Sequence, residues 1–391
     1  MTEGGTIRKA MLVVGHPDFL FLKVGGLTVI ERQLWTVAQA GFHKVWIGMP
    51  RPEESRLSRC RLPPGLGIFW SGSQEGGGDV CEPPYIGVSA DHFLRAADLA
   101  SLALHPPAAL AAYESASDGA VVVQVIPFRS DKAAAYEKHR LPEGAAVSLS
   151  LPFEKTGVLD WLCRQGPREN DGYMARHFDR KLSLAITRRL LETPITPNAV
   201  TLLSSAVGLA GASFFFHPSR LSGLAGALLI WAHSVIDGCD GEMARIALKT
   251  SEFGRRLDFC TDNLVHAAMF GALALGFARQ DQSAVPLFLG AMSLAGVAGS
   301  AFLSYKKRWD REDAGASLEA PTWKARLEGF GAWLEERDFI YVMVLLAAFG
   351  RLYEFLWAGA IGSLLFFGMM LYLKNRPAGE SRGVSLPAGE A

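Results

Sequence analysis

The sequence has few cysteines, no excess of either charge and no N-terminal apolar leader. Its 391 residues include 39 basic residues (Lys and Arg), 39 acidic residues and five cysteines, namely Cys60, Cys81, Cys163, Cys239 and Cys260. The cysteines have neither paired nor metal-type spacing, which fits a reducing cytoplasm. The balanced charge gives no indication of a nucleic-acid partner. The missing leader predicts that no signal peptide is cleaved.

Long apolar runs are scarce in the first half of the chain and frequent in the second. Six runs are predicted to span a membrane: 199–216, 221–236, 257–277, 284–303, 339–349 and 355–373. The fifth is short against the roughly 20 residues that a span needs. A single helix over 339–373 would be about 50 Å long, so Gly350-Arg351 is predicted to form a turn. We therefore expect an all-α six-helix transmembrane domain at 197–378 and a flexible tail at 379–391.

Basic residues lie mainly on one side of these predicted spans. That side holds Arg245, Lys249, Arg255, Arg256, Lys306, Lys307, Arg308, Arg311, Lys324, Arg326 and Arg337. The other side holds Arg220, Arg279 and Arg351. Because Lys and Arg are enriched in cytoplasmic loops, both termini are predicted to face the cytoplasm.

Four aspartates interrupt the apolar pattern: Asp237, Asp240, Asp258 and Asp262. A charged side chain at membrane depth costs at least about 2.5–3.5 kcal/mol on insertion scales, so something must offset the four charges. Spacings of three and four place each pair on one helix face, from which two neighbouring helices can aim all four at one point. Carboxylates without His or Cys suit a hard cation such as Mg²⁺ or Mn²⁺. The pattern predicts a metal site at the cytoplasmic surface of the membrane.

Three other interpretations fit the aspartates less well. A calcium loop needs alternating acidic residues with Gly at the sixth position and Glu at the twelfth, a pattern that residues 237–248 lack. A solvated loop accounts for the first pair only, because apolar helix follows Asp258 and Asp262 directly. A structural ion-pair cluster with Arg245, Arg255 and Arg256 remains open.

The full spacing from Asp237 to Asp262, D-x2-D-G-x2-A-R-x8-G-x3-D-x3-D, resembles the signature of the CDP-alcohol phosphotransferases. In that family an acceptor hydroxyl attacks the phosphorus attached to the alcohol of a CDP-alcohol, and CMP leaves. The resemblance implies that Asp237, Asp240 and Asp258 bind two Mg²⁺ or Mn²⁺ ions, which neutralise charge on the pyrophosphate oxygens. Asp262 would bind metal and also take the proton from the attacking hydroxyl as general base.

The same resemblance implies a site for the CDP group and a homodimer. Gly241 and Ala244 are small enough to let the nucleotide approach the helix backbone, and Gly254 belongs to the same set. Arg245 is suited to phosphate oxygens through its planar fork.

Three stretches upstream extend the resemblance. They are Asp171-Gly172, Arg180-Lys181-Leu182-Ser183 and Thr196-Pro197-Asn198. These stretches are similar to the branch that carries a nucleotidyltransferase-like domain in front, typified by the bifunctional inositol-phosphate cytidylyltransferase and di-inositol-phosphate phosphate synthase. The acceptor that this branch favours is an inositol phosphate.

Lys306, Lys307 and Arg337 are candidates for binding the acceptor's phosphate. Family members with phosphorylated acceptors use basic residues near these helix ends. Plain membrane anchoring by the three residues remains open. His233 and His266, on span faces beside the motif, are predicted to be packed or hydrogen-bonded rather than metal ligands, because the carboxylate set is already complete.

Residues 1–166 are predicted to form a cytoplasmic α/β domain. Strands at 10–14, 44–49 and 121–126 and a helix at 28–40 give the strand–helix–strand rhythm of a parallel sheet. Residues 50–84 are rich in Gly, Pro, Ser and Arg and are predicted to be loop. Residues 167–196 are predicted to hold a linker at 167–171 and a basic amphipathic helix at 173–191 that lies on the membrane.

This domain resembles a nucleotidyltransferase, with a Rossmann-like fold, in outline only. Lys23-Val24-Gly25-Gly26 matches the stretch after that family's nucleotide loop, and Asp91-His92 matches its metal-binding aspartate. The glycine-rich loop itself is missing, since His16-Pro17-Asp18 follows Gly15, and Phe19 stands where a lysine is expected. Without backbone amides to cradle a triphosphate, the domain is predicted to be degenerate, with a structural or regulatory role.

Other functions remain open beside this hypothesis. Phospholipid synthesis from CDP-diacylglycerol uses the same chemistry. A transporter with the aspartates as an ion path fits less well, since transport sites usually lie near the midplane. A scaffold with an inert membrane part fits less well with an intact motif. The leading hypothesis is an integral-membrane CDP-alcohol phosphotransferase that acts on a polar alcohol phosphate and has no nucleic-acid partner.

Overall fold

The computed structural model describes residues 6–71, 81–127, 136–149, 155–164, 174–217, 219–310 and 339–375. The chain divides into two compact units. The first unit comprises Met1–Pro167, Arg188–Pro194 and Glu242–Lys249. The second unit comprises Arg168–Thr187, Ile195–Gly241 and Thr250–Ala391. The first unit is thus assembled from three stretches that lie far apart in the sequence.

The first unit is a mixed α/β fold. Its strands are β1 (Lys9–Val13), β2 (Lys23–Val24), β3 (Leu27–Thr28), β4 (Lys44–Ile47), β5 (Gly67–Trp70), β6 (Tyr85–Ser89), β7 (His92–Leu94), β8 (Ala111–Glu114), β9 (Val121–Ile126), β10 (Glu137–Arg140) and β11 (Ala146–Ser148). Its helices are α1 (Val29–Gln39), α2 (Glu54–Leu57), α3 (Ala96–Leu104) and α4 (Lys155–Arg164). Among the described residues, seven strands form one sheet in the order β10-β8-β9-β6-β1-β4-β5.

The centre of this sheet is parallel, as the strand–helix–strand rhythm predicts. β1 pairs in parallel with β4 and β6, which places Ala10 opposite Val45 and Ile86. These three side chains are fully buried. The half from β9 outward includes antiparallel pairs, of β6 with β9 and of β8 with β9. The α/β class is confirmed, and the sheet is mixed rather than purely parallel.

The prediction that residues 50–84 are loop is wrong in two places. Helix α2 and strand β5 both fall in this stretch, and β5 pairs in parallel with β4 at the edge of the sheet. The apolar run Ile68-Phe69-Trp70 is short and lies among Gly and Pro residues, so its local pattern is weak. Tertiary packing decides instead, since Phe69 stacks on Trp46 with ring centroids 4.8 Å apart.

Helix α1 begins where the sequence predicts. The Thr28 hydroxyl accepts a hydrogen bond from Glu31 N, and the Glu31 carboxylate accepts from Thr28 N at 2.7 Å, which forms a capping box. The segment before it, Pro17–Phe21, is a short 3-10 helix. Phe19 in this helix is buried, at 5% exposure. The position where a nucleotidyltransferase would carry a lysine is therefore part of the hydrophobic core.

The second unit is helical. Its helices are α5 (Arg180–Leu190), α6 (Pro197–Phe214), α7 (Arg220–Ile246), α8 (Glu252–Asp281), α9 (Val285–Asp310), α10 (Phe339–Ala348) and α11 (Leu352–Asn375). The ends of α5 and α7 pack in the first unit. Among the described residues, three helical segments are long and apolar enough to cross a membrane: Arg220–Ile246, Val285–Tyr305 and Leu352–Tyr372. The predicted turn at Gly350 is confirmed, since Gly350 has a φ of 71° between α10 and α11.

Small residues let these helices approach closely, as is typical of helix packing in membranes. A Cβ on Gly276 would lie 2.2 Å from the Phe215 carbonyl oxygen. A Cβ on Gly296 would lie 2.6 Å from the Ser363 carbonyl carbon. Because both positions are glycines, α6 packs closely on α8 and α9 packs closely on α11, with no space for a side chain between them.

The predicted basic helix at 173–191 appears as a π-helical turn, Ala175–Asp179, followed by α5. One face of α5 packs inside the second unit, where Ser183 and Thr187 are buried. Asp179 is buried as well and accepts hydrogen bonds from Trp231 Nε1, at 3.1 Å, and from the Tyr341 hydroxyl. This carboxylate connects the turn before α5 to α7 and α10.

Candidate metal centre

Helices α7 and α8 bring three of the four motif aspartates together. Asp237 and Asp240 lie three residues apart on one face of α7, and Asp258 lies on α8. One carboxylate oxygen from each of the three lies within 4.8 Å of the others. Asp237 and Asp240 are 3% and 6% exposed, and Asp258 is half-buried.

This donor set fits a hard divalent cation. Three carboxylates at such distances repel one another, and burial raises the cost of their charges unless a cation offsets it. Two oxygens bound to one Mg²⁺ at about 2.1 Å lie at most about 4.2 Å apart. The observed limit of 4.8 Å is close to that span, so small side-chain movements complete a site. Oxygen-only donors favour Mg²⁺ or Mn²⁺ over softer metals.

Thr201 on α6 supports the cluster from a third helix. Its hydroxyl donates a short hydrogen bond to Asp240 Oδ2. Thr201 is 2% exposed, so this bond is shielded from water. A partner of this kind fixes the orientation of a ligating carboxylate. No local sequence pattern indicates this contact, because Thr201 is one of several small polar residues in an apolar helix.

Asp262 lies one helical turn after Asp258, with a histidine beside it. Asp262 Oδ1 lies 3.9 Å from His233 Nε2. His233 Nδ1 lies 2.9 Å from the Ser204 carbonyl oxygen, which can only accept, so Nδ1 carries the proton. The prediction that His233 is hydrogen-bonded is confirmed. Its second nitrogen is aimed at the predicted general base, a contact that the sequence analysis missed.

The start of α8 is fixed by a cap beside the predicted CDP-binding residue Gly254. The Ser251 hydroxyl accepts a hydrogen bond from Gly254 N at 3.0 Å. A Cβ on Gly254 would lie 3.0 Å from Asn198 Oδ1, an atom of the Thr196-Pro197-Asn198 stretch. The absence of a side chain at Gly254 therefore lets the first turn of α8 lie close to the start of α6.

The other predicted CDP-binding residues divide between the two units. Gly241 ends the segment of α7 that belongs to the second unit, whereas Ala244 and Arg245 pack in the first unit. Arg255 and Arg256 both form ion pairs with Glu252, the latter at 2.8 Å. These two arginines thus have a partner outside the aspartate cluster.

The predicted acceptor-binding residues fall mostly outside the described part of the chain. The backbone of α9 includes Lys306 and Lys307, but their side chains are not among the described ones. Arg337 and the Asp171-Gly172 stretch lie outside the described residues. Their roles stay predictions.

Comparison with known proteins agrees with the signature. Residues 194–323 match the family model of CDP-alcohol phosphatidyltransferases. The chain is 36% identical over 227 residues to a bifunctional IPC transferase and DIPP synthase of Rubrobacter xylanophilus, a match that covers 58% of this chain and 47% of that protein. It is 27% identical over 219 residues to a phosphatidylinositol phosphate synthase of Streptomyces avermitilis, covering 53% of this chain and 83% of that protein.

A solved structure of Mycobacterium tuberculosis phosphatidylinositol phosphate synthase with CDP-DAG bound matches at 24% identity and a TM-score of 0.36, over 51% of this chain and 96% of that chain. The chain spans less than half the length of the bifunctional Rubrobacter protein. All four motif aspartates lie inside the matched segment. Over residues 194–323 this chain is similar to the CDP-alcohol phosphatidyltransferase family.

Proposed function

We propose that the chain is an integral-membrane CDP-alcohol phosphotransferase, which moves a phospho-alcohol group from a CDP-alcohol to an acceptor hydroxyl and releases CMP. The observation that carries the proposal is the meeting of Asp237, Asp240 and Asp258 from two helices, inside a segment that matches the family. We propose that α6–α11 form six spans and that the aspartates face the cytoplasm. A homodimer is part of the same proposal.

The three clustered carboxylates would hold the metal ions. Two divalent ions bound there would neutralise charge on the pyrophosphate oxygens and the leaving CMP. Thr201 keeps Asp240 in the orientation that binds metal, through the hydrogen bond to Oδ2. Asp262 would take the proton from the attacking hydroxyl, and it also contributes to metal binding. His233, held by the Ser204 carbonyl, supports Asp262 from the other side.

For the substrates we propose a polar alcohol phosphate as acceptor, with an inositol phosphate as the leading candidate. The match to the bifunctional IPC transferase and DIPP synthase supports it. Arg337, Lys306 and Lys307 would bind the acceptor's phosphate. A second candidate is phospholipid synthesis from CDP-diacylglycerol, which the match over 83% of the Streptomyces phosphatidylinositol phosphate synthase favours.

For the front domain we propose a structural or regulatory role without nucleotidyl transfer. The burial of Phe19 supports this role, because a side chain in the core cannot be replaced by a phosphate-binding lysine without rearranging the packing.

The test measures CMP release by the full-length protein with soluble CDP-alcohols or CDP-diacylglycerol as donor, and with free or phosphorylated alcohols as acceptor. We expect release that requires Mg²⁺ or Mn²⁺ and stops in EDTA. Asp237→Asn or Asp240→Asn should abolish release and leave thermal unfolding near that of the wild type. Asp281→Asn, at the far exposed end of α8, is the matched control and should keep full activity. Normal turnover by both cluster variants in EDTA would contradict the proposal.

A further inference from the structure

The first unit contains a cavity of about 150 Å³, in which Arg245 is the one lining residue that is also a predicted site residue. Its lining residues all belong to the first unit. They are Arg32, Thr36, Gln39, Phe93, Leu94, Arg95, Ala96, Trp161, Leu162, Arg245, Ile246 and Leu248. The lining comes from four separate stretches of chain. Three of its residues are arginines and none is acidic.

Arg32 is the buried cation of this cavity. It is 5% exposed, and its Nη2 donates to the Ile246 carbonyl oxygen at 2.7 Å and to the Val24 carbonyl oxygen at 3.2 Å. Its Nε has no hydrogen-bond partner among the described residues. Burial lowers the pKa of Arg32 to about 10, against the opposing effect of Glu31, so the guanidinium stays charged at neutral pH.

The neighbouring carboxylate does not neutralise Arg32 by direct contact. Glu31 Oε2 accepts from both Thr28 N and the Thr28 hydroxyl, each at 2.7 Å, and Glu31 Oε1 accepts from Arg61 N at 2.6 Å. The Glu31 carboxylate is therefore occupied by the cap of α1. Among the described residues the Arg32 guanidinium has backbone carbonyls, the Phe93 ring at 5.5 Å and the charge of Glu31 nearby, but no carboxylate in direct contact. Its charge is therefore available to balance an anion.

A helix start contributes to the same cavity. Arg95 and Ala96 line it, and they are the N-cap and first residue of α3, a helix of nine residues. Arg95 offers no side-chain oxygen to the first amides of α3. Its Nε lies 3.3 Å from Asp98 Oδ2 and its Nη2 donates to the Glu143 carbonyl oxygen at 3.3 Å, which leaves Nη1 for an anion. An uncapped helix start next to arginines is a favourable site for an anion.

We propose that this cavity binds a phosphate group, carried by inorganic phosphate or by a phosphorylated small molecule or headgroup. A water's share of liquid volume is about 30 Å³, so the cavity holds a group of several non-hydrogen atoms. Arginine forks match phosphate oxygens, and each such bond is charge-assisted. The Trp161 ring, held by its Nε1 hydrogen bond to the Gly144 carbonyl at 2.9 Å, forms a fixed wall. The site is separate from the aspartate cluster, with which it shares no residue.

The site can influence the motif helix through two of its members. Arg245 and Ile246 line the cavity and form the last residues of α7, the helix that carries Asp237 and Asp240. An anion in the cavity would stabilise the Arg32 guanidinium that holds the Ile246 carbonyl. Occupancy would thereby stiffen the end of α7.

Isothermal titration of the full-length protein in neutral detergent, with EDTA present, tests the proposal with inorganic phosphate as probe. We expect saturable binding at one site. Arg95→Gln should raise the dissociation constant about tenfold, since a hydrogen bond to a charged group is typically worth this much. Gln39→Glu, an exposed lining position, should weaken binding at least about threefold by placing a negative charge there. Arg8→Gln, an exposed position outside the lining, is the control and should bind as the wild type does.

Competition identifies the source of the phosphate. Phosphatidic acid in mixed micelles displaces inorganic phosphate if a lipid headgroup is the natural ligand, and leaves it bound if the ligand is soluble. Arg245 lines the cavity and is also a predicted CDP-binding residue, so CMP shows whether the two sites are one. We expect that CMP does not displace phosphate, because the other predicted CDP-binding residues do not line the cavity. Displacement by CMP would overturn the separate site, as would equal affinities in the Arg95→Gln, Gln39→Glu and Arg8→Gln proteins. A dissociation constant above about 10 mM for the wild type would overturn it as well.

Discussion

Thr201→Val should weaken metal binding without changing the ligands themselves. Valine has nearly the shape of threonine but lacks the hydroxyl that donates to Asp240 Oδ2. Thr201 is 2% exposed, so no water replaces that donor easily. A hydrogen bond to a charged group is worth about 1.5–3 kcal/mol. At about 1.4 kcal/mol per factor of ten, its loss corresponds to roughly 10–150-fold.

The loss of metal-binding free energy is smaller than the energy of this hydrogen bond, because the Asp240 carboxylate of the variant can still turn toward the ion. Loss of such a supporting partner typically costs 10–100-fold in metal affinity. We therefore expect the Mg²⁺ or Mn²⁺ concentration for half-maximal activity to rise about 10–100-fold. The rate at saturating metal should stay within a few-fold of the wild type, since Asp262 and the ligands are unchanged.

The assay follows CMP release at fixed donor and acceptor while the metal concentration is varied. Thr201→Ser keeps the hydroxyl and should keep most of the metal affinity. Ser213→Ala is the matched control on the same helix, since the Ser213 hydroxyl donates only to the Ala210 carbonyl of its own turn, at 2.7 Å. If Thr201→Val leaves the metal dependence unchanged, the Thr201 hydroxyl does not orient a metal ligand.

Three further predictions follow from the site and the packing. Asp262→Asn should lower the maximal rate with little effect on donor binding, whereas Arg337→Ala should mainly raise the Michaelis constant for a phosphorylated acceptor. Steady-state kinetics with the acceptor varied at saturating donor separate the two effects. An unchanged Michaelis constant for the acceptor in Arg337→Ala would mean that Arg337 only anchors the protein in the membrane. Gly296→Ala should destabilise the fold by about 1–3 kcal/mol through overpacking. Gly368→Ala is the control and should not destabilise it, because its added Cβ meets nothing within 4 Å. Thermal unfolding compares the two variants, and equal midpoints would contradict the close approach of α9 and α11. The full-length protein should release no pyrophosphate from CTP and an alcohol phosphate. Detectable release would show that the front domain is catalytically active.

Sequence spacing anticipated the parts of the structure that depend on local periodicity. The turn at Gly350 followed from a helix length that one membrane crossing cannot use, and the structure has it. The spacing of Asp237 and Asp240 placed both on one face of α7, and the structure brings Asp258 beside them. Whether these carboxylates bind two ions stays a prediction, as do the roles of the acceptor residues.

Contacts between distant stretches of sequence were not predictable in this way. Strand β5 forms because Phe69 stacks on Trp46 and β4 supplies its hydrogen bonds, neither of which its own composition indicates. Thr201 reaches Asp240 across 39 residues of sequence, and His233 reaches Asp262 from a different helix. A single polar residue in an apolar helix has no periodic pattern that would indicate its partner.

The three-stretch composition of the first unit has a consequence for how the protein is made. Part of the cavity wall and the buried carbonyl that Arg32 binds are supplied by Glu242–Lys249, although the main stretch of the unit ends at Pro167. The ribosome must add the 74 residues 168–241 before it reaches the last stretch, which takes roughly 4–15 s at 5–20 residues per second. During that interval the Arg32 guanidinium lacks the Ile246 carbonyl as a partner and stays hydrated. The N-terminal half is therefore translated early but finishes folding late, after most of the motif helix has been synthesised.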